Sequence, residues 1–393
     1  MRIAHLITRM ILGGAQENTL LTCEDLMRIY GDEVLLVTGP PLGPEGSLLD
    51  RAQKNSVPLA MVDSLRRSIH PWRDAASYVR LKHILRDFRP DVVHTHSAKG
   101  GFLGRMAATA VGVPAVVHTV HGAPFHEYQG RGPRTFFRLC ERFAARRCHA
   151  LISVADAMTE RLVAARVAPR EMFTTIYSGM EIEPYLTANA VRQAAREQLG
   201  YAPRHLVIGK IARLFHLKGH EYVIQAARQV VRETPDARFL FVGDGILKNR
   251  LQQQIADAGL TGQFQFAGLV SPERIPELVA AMDVVVHASL REGLARALVQ
   301  GLIAEKPVVS YDIDGAREVV IPDVTGFLLP PCSVEPIADA LARLARDAAL
   351  RERLGKEGRR RFADQFRHQH STQRIRQVYE QVLTGQGGVL VTL

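Results

Sequence analysis

Arg213 and Lys218 stand five residues apart in Arg213-Leu214-Phe215-His216-Leu217-Lys218-Gly219, where an apolar, β-branched run gives way to a helical pattern. A guanidinium and an ammonium at such a junction suit a diphosphate, each charge-assisted contact contributing about 1.5–3 kcal/mol net. A solvated basic loop is the plainer use of the same residues. The next apolar run closes on Val242-Gly243-Asp244-Gly245, where glycines let a ligand approach the backbone. Further on, Ser289-Leu290-Arg291-Glu292-Gly293-Leu294-Ala295-Arg296 turns from a strand pattern into a helical one that carries Gln300 two turns later. This spacing puts Glu292 at the helix start, either as a cap or as an acceptor for ligand hydroxyls. The amides of Gly293, Leu294 and Ala295 would face the same way. Asp312-Ile313-Asp314 has the D-x-D spacing of a divalent-cation site, but it runs straight into the turn Gly315-Ala316-Arg317-Glu318 within a second strand-and-helix half. That is not the setting of the metal motif. No catalytic metal is expected, and Glu318 is read as touching either ligand or neighbouring loops.

In the first half, the loop Thr8-Arg9-Met10-Ile11-Leu12-Gly13-Gly14 opens a helix near Ala15. Paired glycines and a helix N-terminus together offer amides to an anion, although the pattern is not G-x-G-x-x-G and also describes a simple tight turn. Histidines collect at strand ends: His94 and His96 on one, His118 and His121 on another. His121, last on its strand and followed by Gly122, is the site candidate; His118 reads as structural. No further ligands accompany the H-x-H pair, so zinc is not expected.

The elements that must hold these residues alternate in a regular way. Strands are expected at residues 3–8, 34–38, 92–96, 116–121 and 151–154, with helices at 15–29, 72–88, 101–111, 134–147 and 155–165 between them. After a polar stretch around 181–204 the rhythm restarts, with strands at 207–211, 239–242, 264–267, 284–288 and 308–311. Helices are expected there at 219–232, 247–258, 272–281, 294–304, 333–346 and 357–383. This is the pattern of α/β domains with doubly wound parallel sheets, whose ligands bind beyond the carboxyl ends of the strands. The expected division is an N-terminal domain at residues 1–185, a linker at 186–204, a second domain at 205–360, a C-terminal helix at 361–384 returning to the first domain, and a tail at 385–393.

Bulk properties agree with two globular domains. The 393 residues are 47% hydrophobic and carry a formal net charge of +10, which favours anionic partners without choosing among them. No aromatic platform or reader motif accompanies the basic residues, so nucleic acid is not an expected partner. Four cysteines without C-x-x-C spacing suggest neither a disulfide framework nor a zinc site. The apolar start is too short for a secretory segment, and no run approaches a membrane span, so a cytoplasmic protein is expected. The segment 134–147 sets arginines at four-residue steps beside an apolar face, the composition of a helix lying on a membrane surface or of an ordinary crossover helix.

Taken in order, Gly13-Gly14-Ala15-Gln16, His121-Gly122, Arg213 with Lys218-Gly219, Gly243-Asp244-Gly245, Glu292-Gly293 and Gly315 to Glu318 resemble the landmarks of glycosyltransferase family 4, the retaining GT-B enzymes. The resemblance covers nearly the whole chain. It implies two Rossmann-like domains facing a central crevice, an N-terminal acceptor-binding domain and a C-terminal nucleotide-sugar-binding domain. It further implies sugar transfer from a nucleotide-diphosphate donor, UDP-linked by preference, without metal or other cofactor. Arg213 and Lys218 would hold the diphosphate, Glu292 and the amides from Gly293 to Ala295 the sugar, and His121 the sugar or the acceptor. Gly13, Gly14, Gly243, Gly245, Arg296 and Glu318 would complete the donor site. The family's second glutamate, eight positions after the first, is Gln300 here, and its Phe-Gly is Leu294-Ala295. The acceptor is expected to be a glycan, a lipid-linked molecule or a small molecule, with peripheral contact at the inner membrane face. Two rival readings share the fold: a nucleotide-sugar 2-epimerase, and a non-catalytic anion- or membrane-binding protein.

Overall fold

The β-branched runs form two parallel sheets in the computed structural model, which describes residues 1–385. Each sheet lies in its own unit: residues 1–180 with the C-terminal segment from His368 on make unit 1, and Glu181–Arg367 make unit 2. Unit 1 holds β1 (Arg2–Arg9), β2 (Glu33–Gly39), β3 (Leu59–Met61), β4 (Val92–His96), β5 (Ala115–Val120), β6 (Ala150–Ser153) and β7 (Phe173–Thr175), in the order β3-β2-β1-β4-β5-β6-β7. Unit 2 holds β8 (Leu206–Ile211), β9 (Ala237–Val242), β10 (Phe264–Gly268), β11 (Val284–His287), β12 (Val308–Tyr311) and β13 (Gly326–Leu329), in the order β10-β9-β8-β11-β12-β13. Central strands covered by helices on both faces are buried along their length, and every residue of β4, β5 and β11 is buried, the histidines and threonines of these strands included.

The chain winds outward in both directions from one strand in each sheet. The winding reverses between β1 and β4 in unit 1 and between β8 and β11 in unit 2. Loops leaving the carboxyl ends of such a pair diverge and leave a crevice between them. In unit 1 that spot is tied by Thr8 and Ser97, whose hydroxyls lie 2.6 Å apart, and the Gly100 amide donates to Thr8 Oγ1 at 2.8 Å. The helix Ala98–Val111 can sit this close only because of its glycines: a Cβ on Gly100 would stand 2.7 Å from the Thr8 amide nitrogen.

Several expectations need correction. The stretch 186–204 is helical over much of its length. After the short helix Glu183–Leu186 it forms a 3-10 turn at Ala188–Val191 and a helix at Arg192–Gln198. Its arginines bind unit 2, with Arg192 and Arg196 reaching Asp283 at 2.6 and 3.2 Å. The polarity that reads as a linker therefore serves to neutralise one aspartate and cap carbonyls at 280–282. The helix expected at 357–383 is two, Ala348–Phe362 and His368–Leu383, separated by a 3-10 turn. The second belongs to unit 1, where buried Asp25 accepts hydrogen bonds from His368 Nδ1 at 2.7 Å and Thr372 at 2.9 Å. Strands β3, β7 and β13 were not anticipated; each is an edge strand of three or four residues, too short to show a period. The expected tail at 385–393 lies, beyond Gly385, outside the described residues.

Candidate active site

The reversal point of unit 2 gathers Lys218 and Glu292 into direct contact. Lys218 leaves β8, Glu292 leaves β11, and Lys218 Nζ donates to Glu292 Oε1 at 2.5 Å. His287, the last residue of β11, reaches the same oxygen with Nε2 at 3.1 Å. The Glu292 amide donates to Asp314 Oδ2 at 2.8 Å, and the Leu290 amide to the Leu217 carbonyl at 2.8 Å. Glu292 is thus held by the loop after β8, the end of β11 and the turn after β12. Burial opposes its charge, but Lys218 and the His287 hydrogen bond outweigh burial and hold the carboxyl well below the usual carboxylate range. Burial also lowers His287, against the pull of Glu292. A neutral His287 beside a carboxylate must carry its proton on Nε2.

Arg213 lies exposed on the same loop as Lys218, its guanidinium 5.1 Å from the Phe215 ring centre. The loop turns sharply at Leu217 and Gly219, both left-handed. A Cβ on Gly219 would stand 1.8 Å from the Ala288 carbonyl oxygen, so only glycine lets this loop close on the end of β11. Gly243 and Gly245 serve a similar end. A Cβ on either would meet the carbonyl oxygen of Ala212 at 2.3 Å or of Leu214 at 2.6 Å, so their close approach is to the Arg213 loop itself.

The helix expected from residue 294 begins at Arg296, with Ala295 at its N-cap. Glu292 is therefore no helix cap. Its side chain is taken by Lys218 and His287, and Gly293 is tied to the neighbouring turn by the Gly315 amide at 3.0 Å, which keeps Gly293, Leu294 and Ala295 in a loop ahead of the helix. Arg296 is half-buried in the first turn, Gln300 is buried in the second, and Glu318 is half-buried at the end of the 3-10 turn Asp314–Glu318. The D-x-D carboxylates are divided between two partners. Asp312 makes a paired contact with Arg317 at 3.0 and 3.1 Å, while Asp314 receives the Glu292 amide.

In unit 1, Gly13 is the extended N-cap of the helix Gly14–Tyr30, and no side chain caps that end. His121 follows β5, with its Nε2 3.1 Å from His96 Nδ1. His118 is buried and hydrogen-bonded to Thr95 Oγ1 at 2.9 Å. Ring nitrogens of His5, His94 and His96 lie within 4.8 Å of one another. A metal would need them converging. Instead His94 is engaged by Tyr379 Oη at 2.5 Å and Thr119 Oγ1 at 2.7 Å, and His5 and His96 bond each other at 3.0 Å.

Sequence reasoning missed His5, Ser97, Lys210 and His287, and weighed Asp314 only as part of a metal motif. Lys210 is wholly buried on β8, its Nζ makes no hydrogen bond among the described residues, and burial followed by the charge of Lys218 pushes it down to about 7. A lysine inside an apolar strand was the available signal. His5 could have been found only by pairing β1 with β4, whose register sets His5 opposite His94.

Residues 191–361 match the family model for glycosyl transferases group 1, and residues 13–179 match the glycosyl transferase 4-like domain. The UDP-Gal:alpha-D-GlcNAc-diphosphoundecaprenol alpha-1,3-galactosyltransferase of Escherichia coli is 29% identical over 381 residues, 96% of each chain. The alpha-D-kanosaminyltransferase of Streptomyces kanamyceticus is 28% identical over 67% of this chain and 70% of its own. HepE of Anabaena, solved with UDP and glucose, superposes with a TM-score of 0.83 at 23% identity, covering 97% of this chain and 99% of that one. WaaG, a glycosyltransferase involved in lipopolysaccharide biosynthesis, superposes with a TM-score of 0.75 at 16% identity over 96% and 99% of the two chains. Two parallel Rossmann-like sheets in this order are the GT-B fold, and the chain belongs to the group 1 glycosyl transferases, family 4 of the glycosyltransferases.

Proposed function

We propose that this glycosyltransferase moves a hexose from a UDP-sugar to a hydroxyl of a lipid-linked acceptor, with retention and without a metal. The observation that carries the proposal is the Lys218–Glu292–His287 cluster at the reversal point of unit 2, with Arg213 on the same loop. Lysine has three donors, so Lys218 can keep Glu292 and still meet phosphate oxygens. Arg213 and Lys218 neutralise the diphosphate as the glycosidic bond breaks, the task a metal performs elsewhere. The charged Glu292 accepts from hydroxyls of the transferred sugar, and the amides of Gly293, Leu294 and Ala295 donate to it. Arg296, Gln300 and Glu318 complete the donor side, with Gln300 offering the ribose a neutral acceptor. Unit 2 is the donor-binding unit and unit 1 the acceptor-binding unit, where His121 and the Gly13-Gly14 helix start act. The acceptor hydroxyl attacks from the face the diphosphate leaves and passes its proton to a phosphate oxygen, through an oxocarbenium-like state.

The lipid-linked acceptor is favoured by the helix Arg131–Ala145. Phe136, Leu139 and Phe143 are 53%, 52% and 42% exposed, beside exposed Arg134, Arg138 and Arg142. Such a face buries its apolar side among acyl chains while its arginines meet anionic headgroups. The curated relative of Escherichia coli named above acts on a diphosphoundecaprenol-linked sugar. The test measures transfer of radiolabelled hexose from UDP-glucose, UDP-galactose and their N-acetyl forms to polyprenyl-diphosphate-sugar in anionic vesicles, in EDTA. Product whose anomeric configuration matches the donor supports the reading. Conversion of the donor alone into an epimer would replace it with the epimerase, and failure to bind any nucleotide with the non-catalytic protein.

A further inference from the structure

Three imidazoles form one hydrogen-bonded line in unit 1. His5 Nδ1 lies 3.0 Å from His96 Nε2, and His96 Nδ1 lies 3.1 Å from His121 Nε2. The rings of His5 and His96 are inclined by 11°, and those of His96 and His121 by 29°. Adjacent strands β1 and β4 supply the two inner rings, and His121 follows β5 directly. His94 packs 4.2 Å from His96, but its nitrogens bond Tyr379 and Thr119, so it stands outside the line.

His5 and His96 are buried, and burial pushes His5 down to about 3 and His96 well below the ordinary histidine range. Each is a neutral ring with a single N–H. One proton per ring leaves two ways to fill both hydrogen bonds: every N–H points toward His121, or every N–H points toward His5. The inner end decides between them. His5 Nε2 is buried and has no hydrogen-bond partner among the described residues. A proton there would be an orphaned donor, which buried sites tolerate less readily than an unused acceptor. The first arrangement therefore wins: His5 Nδ1–H donates to His96, and His96 Nδ1–H donates to His121 Nε2.

We propose that His5 and His96 are positioning residues that fix the tautomer of His121, keeping its Nε2 as an acceptor and its proton on Nδ1. With its proton on Nδ1, His121 can donate at that nitrogen and cannot act as a base there. The consequence for turnover rests on His121 being a site residue, but the tautomer is read without substrate, so failure of the transferase reading and failure of this one are separable.

The test is the long-range ¹H–¹⁵N spectrum of the full chain carrying ring-labelled histidine, with His121 assigned by a His121→Gln variant. The expected spectrum shows His121 with an N–H-type Nδ1 and a lone-pair-type Nε2. His96→Asn keeps an N–H near the place of Nδ1 and preserves the pattern. His96→Phe removes it, mixes the two His121 tautomers, and lowers kcat/KM roughly 10- to 100-fold, the scale on which a histidine depends on its orienting partner. A proton on His121 Nε2 in the wild type overturns the proposal, as does a pattern unmoved by His96→Phe. If that variant does not fold, the wild-type spectrum alone decides.

Discussion

Glu292 keeps its charge in a half-buried setting because Lys218 and His287 come to it from two different strand ends. Removing that charge in Glu292→Gln leaves the shape intact and weakens one charge-assisted contact to the sugar. We expect kcat/KM to fall about 10- to 150-fold, the equivalent of about 1.5–3 kcal/mol, in steady-state transfer assays. Lys210 makes the opposite kind of prediction. Its folded value near 7 is far below that of a free lysine, so between about pH 7 and 10 the unfolded chain binds more protons than the folded one and stability rises with pH. Below about 7 the lysine is charged in both states and its burial penalty is fully present. Lys210→Met should therefore stabilise the chain most at neutral or lower pH, by about 1–4 kcal/mol, and flatten the rise toward alkaline pH in urea titrations. Equal slopes in the two proteins would refute this. At this scale Arg213, Lys218 and Glu292 were legible because charge at a strand-to-helix junction is conspicuous. Lys210, His5 and His287 were not, since their meaning comes from which strands lie side by side, and a single sequence does not order a sheet.

At the scale of elements, the helix Arg131–Ala145 shows how a mostly exposed segment is secured. Its Glu141 is buried against the wholly buried Arg105 of the neighbouring helix, at 3.0 Å. Glu141→Ala strands the guanidinium and should cost about 3–5 kcal/mol in urea unfolding, whereas Arg105→Met with Glu141→Leu should recover most of it. A loss below about 1 kcal/mol would mean that the pair does not anchor the helix. On the outer face, Phe136→Ser, Leu139→Ser and Phe143→Ser together should abolish sedimentation with anionic vesicles and leave transfer to a water-soluble acceptor unchanged. The winding rhythm was readable because central parallel strands, buried on both faces, are rich in β-branched apolar residues. The helix Arg192–Gln198 was not anticipated because arginines that bind Asp283 look, in one dimension, the same as arginines in water. The start at Arg296 was missed because Asp314 and Gly315 hold residues 292 and 293 in the preceding loop, and those contacts are distant in sequence.

At the scale of the molecule, the chain joins two Rossmann-like units of comparable size, with the C-terminal helix of unit 1 following unit 2 in the sequence. No helix among the described residues is long and apolar enough to cross a membrane, and the proposed contact with lipid falls to the amphipathic helix Arg131–Ala145, the proposed donor to unit 2. A net charge of +10 would favour both proposed partners, anionic lipid and a diphosphate.

The central claim is that unit 2 binds a uridine diphosphate through Arg213 and Lys218 without a metal. Isothermal titration of UDP into the full chain in EDTA, with Arg213→Ala and Lys218→Ala alongside, tests it most directly. The account predicts saturable one-to-one binding in EDTA, unchanged by added magnesium and weakened about 10- to 150-fold in each variant, one charge-assisted contact being lost in each. Binding that appears only with magnesium, or that survives intact in both variants, would contradict it.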